Sequence, residues 1–137
     1  MSERLRAYLA VPYLLALAAC GGPIGILAGG ALEGEEGTAG AWSEVVSGSG
    51  TLDLETRPED PYSVRIGFVF RDGEVYIDPA EGRRWYEHLK ADPSVRVRID
   101  DRIYRARAVA VTDPIELEGF DPERHVQRLE LVGRNAN

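Results

Sequence analysis

The chain of 137 residues holds a single cysteine, Cys20, so no intrachain disulfide can form and a cysteine-built zinc site is excluded. Its two histidines, His88 and His125, are too few for a histidine-rich metal centre, and no metal site is expected. Positive charge is in deficit. There are 16 Lys+Arg against 23 Asp+Glu, a net charge of −7. Such a chain has no general attraction for phosphate backbones, which excludes bulk nucleic-acid binding. No Ser-His-Asp or Walker-type constellation is visible, because the glycine-rich stretch lacks the Lys-Ser/Thr ending of a phosphate loop. What remains is the composition of one ordinary globular domain, 44% hydrophobic and 28% charged.

The N-terminus has a different composition from the rest. Arg4 and Arg6 give a short basic start, and residues 7–19 are uncharged and apolar, broken only by Pro12. That run is shorter than the ~20 residues a spanning helix needs, but it has the length of a secretory apolar region. It ends in Leu17-Ala18-Ala19-Cys20, which resembles the bacterial lipoprotein signal. The resemblance implies cleavage after residue 19 and lipidation of Cys20. The chain would then be held on the membrane of a bacterial cell envelope, facing out of the cytoplasm. Several acyl chains would make that anchor durable. The rival is a spanning anchor from Leu5 to Leu32, for which Gly21, Gly22, Pro23, Gly25, Gly29 and Gly30 make a poor helix. Residues 20–50 read as the lipidated cysteine and a flexible Gly/Ala/Glu-rich tether. Trp42 and Val45-Val46 are its expected contacts with a domain over 51–133, and residues 134–137 form a tail.

From Thr51 the pattern has period two. Leu52, Leu54 and Thr56 alternate with Asp53, Glu55 and Arg57, as in a half-buried strand. Pro58 and Pro61 force a turn. Val64, Ile66, Phe68 and Phe70 then share one face of the clearest strand, and Asp72-Gly73 is a hairpin signal leading back through Glu74–Asp78. Between Pro79 and Asp92 the period becomes helical, with Trp85 and Leu89 one turn apart and Tyr86 beside them, and Pro93 ends the helix. Val95, Val97 and Ile99 alternate again, Asp100-Asp101 turns the chain, and Arg102–Thr112 is a long strand with small inward residues. Val126–Val132 supplies a last strand, with Leu129 and Leu131 inward. The expected fold is mainly β: a six-stranded antiparallel split β-barrel with one main helix between strands 3 and 4. An open antiparallel sheet crossed by a helix is the rival.

The runs Gly73–Ile77, Arg84–Ile99 and Asp101–Asp113 together resemble the pyridoxamine-phosphate-oxidase-like split barrels, nearest their deazaflavin-dependent nitroreductase branch. Glu55–Val64 resembles a lipoprotein subgroup of these barrels, and Gln127–Leu131 their last strand. The resemblance implies a homodimer that binds FMN or a deazaflavin in a surface groove and performs hydride or electron transfer. By position, the cofactor-binding candidates are Arg57, Ser63 and Arg65 on the first hairpin, with Arg83, Arg84 and Trp85 at the helix start. Guanidinium forks suit phosphate oxygens, helix N-terminal amides favour an anion, and an indole can stack on a flavin ring. No catalytic acid or base can be named. The other expectation for each arginine is a solvated strand face paired with acids, for Trp85 core packing, and for both histidines a surface position. Glu59 and Asp60 would repel a phosphate, which favours an alternative: a non-catalytic envelope binding module that has lost the cofactor.

Overall fold

The computed structural model describes residues 21–25 and 27–133. The signal segment, Cys20 and the tail lie outside the described residues. Seven strands follow one another: β1 (Glu35–Glu36), β2 (Gly50–Thr56), β3 (Tyr62–Arg71), β4 (Glu74–Ile77), β5 (Ser94–Ile99), β6 (Arg102–Ala110) and β7 (Gln127–Leu131). Helix α1 (Arg84–Ala91) lies between β4 and β5. Strands β6-β5-β2-β3-β4-β7 are neighbours in that order, and β7 pairs back onto β6. Six antiparallel strands therefore close into a barrel, as expected, and the open-sheet alternative fails. Only β1 is extra, a two-residue parallel strand outside β6.

Local chemistry explains the turns. Asp72 and Gly73 have φ of 53° and 80° and join the paired residues Arg71 and Glu74. Asp100 and Asp101, at 49° and 63°, join Ile99 to Arg102. Two successive left-handed residues make the hairpin turn that matches strand twist, and Gly and Asp tolerate that backbone best. Inward residues Leu52, Leu54, Phe68, Val75, Ile77, Val95, Val97, Tyr104, Ala106, Ala108 and Leu129 fill the barrel, and Leu89 of α1 packs on them.

The glycine-rich segment departs from the expected free tether. Trp42 is 3% exposed, and its indole N–H donates to the Leu129 carbonyl at 2.6 Å, with Val45 and Val46 packed alongside. Upstream of it, Gly29 exchanges two backbone hydrogen bonds with Ser63, and the Leu32 side chain is buried. The segment is thus a strap across the outer face of β2 and β5. Its glycines allow the close approach: a Cβ on Gly34 would come within 2.8 Å of the Asp101 carbonyl oxygen. Residues 21–25 and 27–32 form no helix, which removes that part of the proposed spanning anchor. No helix of the described residues is long and apolar enough to cross a membrane.

The strap also changes the meaning of the polar face of β2. Asp53 and Glu55, expected on a solvated face, are buried beneath it. Asp53 accepts hydrogen bonds from Arg65 and from Arg98, at 2.9 and 2.8 Å. Glu55, 1% exposed, accepts from Arg96 at 3.0 Å and from the Leu32 backbone N–H at 2.7 Å. Arg98 also donates to the Glu33 carbonyl, and Arg96 to Glu36. Each buried carboxylate is therefore met by a guanidinium, the condition under which burying charge is tolerable.

Candidate functional site

Strand β3 runs for ten residues, but β4 pairs only with its last three, Val69 to Arg71. Beyond Ile77 the chain leaves the sheet and turns towards α1, opening a gap beside the first half of β3. A turn from Ala80 to Arg83 makes the change of direction. Its Arg83 N–H points to the Ala80 carbonyl, and Gly82 takes φ 82° in the position where such a turn requires a left-handed residue. Arg83 then caps α1 without a side-chain bond, so the N–H groups of Arg84 and Trp85 have no partner within the helix.

The gap is a groove of about 780 Å³. Tyr62, Val64, Arg65, Ile66 and Gly67 form one wall; Gly82, Arg83, Arg84 and Trp85 form the other. Leu27 and Ala28 of the strap, Asp78 and Arg124 also line it. Four arginines thus line one cleft in an acidic protein. Arg65 is tied to Asp53, and Arg124 donates to the Asp78 carbonyl at 3.2 Å. Arg83 and Arg84 form no ion pair among the described residues. They are exposed cations at a helix N-terminus, the arrangement that suits an anion. Trp85 packs against the core, as one of the two expectations had it, and also lines the groove.

Of the six candidate residues, Arg65, Arg83, Arg84 and Trp85 come together in this groove. Ser63 and Arg57 do not line it. The Ser63 side chain lies on the outer face of β3, is fully buried where the strap crosses at Gly29, and its Oγ has no partner. Arg57 has φ 52°, faces Asp60 at 3.5 Å, and leaves its Nε buried and unpartnered. Glu59 and Asp60 are absent from the groove wall, where the one lining carboxylate is that of Asp78.

Sequence pattern missed Tyr62 and Arg124. Tyr62 lies at the open end of β3, where period two says nothing of a missing neighbour. Arg124 arrives because the His125 N–H bonds the Pro79 carbonyl, a contact without a local signal. The histidines are also less free than expected. His125 stacks on Tyr86 and meets Glu81 at 2.7 Å. His88 lies edge-on to Tyr62, and its Nδ1 is 2.9 Å from Thr56 Oγ1. The Thr56 hydroxyl also donates to the Tyr62 carbonyl, so the arrangement that satisfies both has Nδ1–H donating to the hydroxyl. Burial, then the Arg57 and Arg84 guanidinium groups, lower the His88 pKa and favour its neutral form. Among the described residues no cluster of His, Cys, Asp and Glu is arranged to hold a metal.

The groove offers an anionic, planar group two exposed cations and the free amides of a helix start, with an indole in the wall, and Asp78 is the one carboxylate among its lining residues. No family model matches the chain, and no curated protein matches it. Among solved structures, one described as an F420 reductase is similar at 17% identity with a TM-score of 0.45, covering 71% of this chain and 97% of that one.

Proposed function

We propose that the protein is an extracytoplasmic split barrel, anchored by lipid on Cys20, that binds a flavin or deazaflavin for hydride or electron transfer. One observation carries the binding reading. Arg65, Arg83, Arg84 and Arg124 converge with Trp85 on a single groove in a chain of charge −7. Arg83 and Arg84 have no described acid partner, as is also true of the exposed Arg102, Arg105 and Arg107, but they differ from these in lining the groove. In this reading Arg83, Arg84 and the α1 amides hold the cofactor's phosphate, and Trp85 lies against its ring. The bound cofactor supplies the redox chemistry, while the protein supplies orientation and electrostatics. A homodimer, as the sequence resemblance implies, would cover the groove from one side.

The full chain in detergent micelles, mixed in turn with FMN, FAD and a deazaflavin, tests this by thermal shift and absorbance. Stabilisation by at least one of them, abolished in Arg84→Ala, is expected. If none shifts the melting temperature, the cofactor reading fails. For the anchor, Cys20→Ser should release the protein from bacterial membranes; retention of the variant would overturn lipid anchoring.

A further inference from the structure

The strap leaves little slack between Cys20 and the barrel. The Gly21 carbonyl, one residue on, accepts from the Gly30 N–H at 3.1 Å. Gly22 packs so closely that a Cβ on it would come within 2.6 Å of the Arg98 guanidinium and 3.2 Å of the Leu32 side chain. Pro23 is buried. Gly29 in turn exchanges two backbone hydrogen bonds with Ser63 of β3. A flexible tether would let the domain move freely at a distance from its anchor. Here the chain is already bound to the folded body at Gly21.

Between these contacts the chain turns back on itself. Ile24 and Leu27 exchange backbone hydrogen bonds at 2.9 and 3.1 Å. Residues paired in this way project their side chains to the same side, so the two stand together. They are 60% and 66% exposed. Gly25, between them, has nothing within 4 Å of the place a Cβ would take, so the turn itself is open to solvent. Two side chains are too little for a stable interface with another protein, which needs ~1,200 Å² or more. A bilayer demands no matching surface, and apolar side chains of interfacial segments enter it by ~5–10 Å. Ile24 is four residues from Cys20. Four residues reach ~14 Å at full extension, so the turn lies close to any acyl chain carried by that cysteine.

The distribution of charge agrees. Leu27 lines the groove together with Arg65, Arg83 and Arg84. The exposed acids of the strap, Glu33, Glu35 and Glu36, lie towards its other end, where β1 meets β6. A surface of anionic lipid attracts the first end and repels the second.

We propose that the turn carrying Ile24 and Leu27 is a second membrane contact, which enters the headgroup region beside the acylated Cys20 and sets the barrel on the bilayer with the mouth of the groove at its surface. The proposal rests on the lipid-anchor reading above and adds the orientation of the barrel and the side chains that impose it. A ligand of the groove then enters and leaves at the membrane surface.

The test uses the single cysteine. Acylation blocks the Cys20 thiol, so Leu27→Cys in the lipidated full chain carries one free thiol. Arg105→Cys, at an exposed position of β6 outside the groove, is the control. Each is labelled with a polarity-sensitive thiol dye and reconstituted into vesicles of phosphatidylcholine and phosphatidylglycerol, with and without bromine on the acyl chains. The dye at residue 27 should emit at shorter wavelength and lose most of its emission to brominated lipid, and the dye at residue 105 should do neither. Ile24→Cys, on the same turn, should behave as Leu27→Cys. Adding Ile24→Asp to the Leu27→Cys chain should restore aqueous emission with the melting temperature unchanged, because the replaced side chain is exposed. Emission at residue 27 equal to that at residue 105 would overturn the membrane contact and leave the anchor standing. Quenching that survives Ile24→Asp would overturn it too, since nearness to the anchor would then suffice. Uptake of dye by the wild-type chain would reveal a free Cys20 thiol and overturn anchor and contact together.

Discussion

Two sets of arginines flank β3, and they differ in what lies beneath them. On the strap side, Arg96 and Arg98 are held by the buried carboxylates of Glu55 and Asp53 and sealed by the glycine-rich segment. On the groove side, Arg83 and Arg84 stand exposed without a described acid. Arg65 lies between the two, lining the groove while bonded to Asp53. The same residue type thus serves as a structural clamp where an acid has been buried for it and as an open cation where none has. Abundance of arginine identifies neither role; the buried acids mark the clamps, and the groove lining singles out Arg83 and Arg84 among the exposed arginines.

The sharpest way to break this contrast is to remove a clamp. Glu55→Ala leaves Arg96 without its buried partner and the Leu32 N–H without its acceptor. Arg96 keeps Glu36, so a loss of about 2–4 kcal/mol is expected, from the stranded Leu32 N–H and the lost charged hydrogen bond, read from the denaturant midpoint. An unchanged midpoint would mean that the strap contributes nothing. Trp42→Phe tests the other end of the same segment. Losing the indole bond to the Leu129 carbonyl strands a buried acceptor, so about 1–3 kcal/mol should disappear from the same transition. On the groove side the pattern reverses. Arg84→Ala should leave the midpoint within about 0.5 kcal/mol of wild type while weakening ligand binding by roughly tenfold or more.

The smallest effect concerns His88, at the junction of α1 with β2. Its pKa is lowered in the fold by burial and by Arg57 and Arg84. Near and below the ordinary value of 6.5, the unfolded chain binds the proton more readily than the native one. Stability is therefore full above that value and declines as pH falls through the lowered one. His88→Gln should flatten this part of the stability–pH curve, measured by denaturant titrations between pH 7 and 5. Persistence of the slope would assign it to other groups.

The sequence revealed the barrel where a residue's fate depended on its neighbours. Val64 to Phe70 alternate, Asp72-Gly73 turns the chain, and Trp85 to Leu89 followed by Pro93 marks a helix. It revealed the groove half-way, because Arg83, Arg84 and Trp85 share a helix start. It did not reveal the strap. Leu32 is a lone apolar residue among glycines and acids, and its burial depends on Glu55, 23 residues away. Ser63 read as a polar residue free to bind, but its side chain is fully buried and its backbone is bonded to Gly29. The open edge of β3 was equally hidden, since alternation describes which way side chains point and is silent on whether a neighbouring strand exists.

The contrast between clamped and open arginines is tested most directly by titrating FMN into three full-length proteins: wild type, the double variant Arg83→Ala/Arg84→Ala, and Arg105→Ala. Arg105 is exposed on β6 and lies away from the groove. Binding by wild type and Arg105→Ala with equal affinity, and its loss in the double variant, is the predicted result. Equal binding by all three would contradict the assignment of the groove.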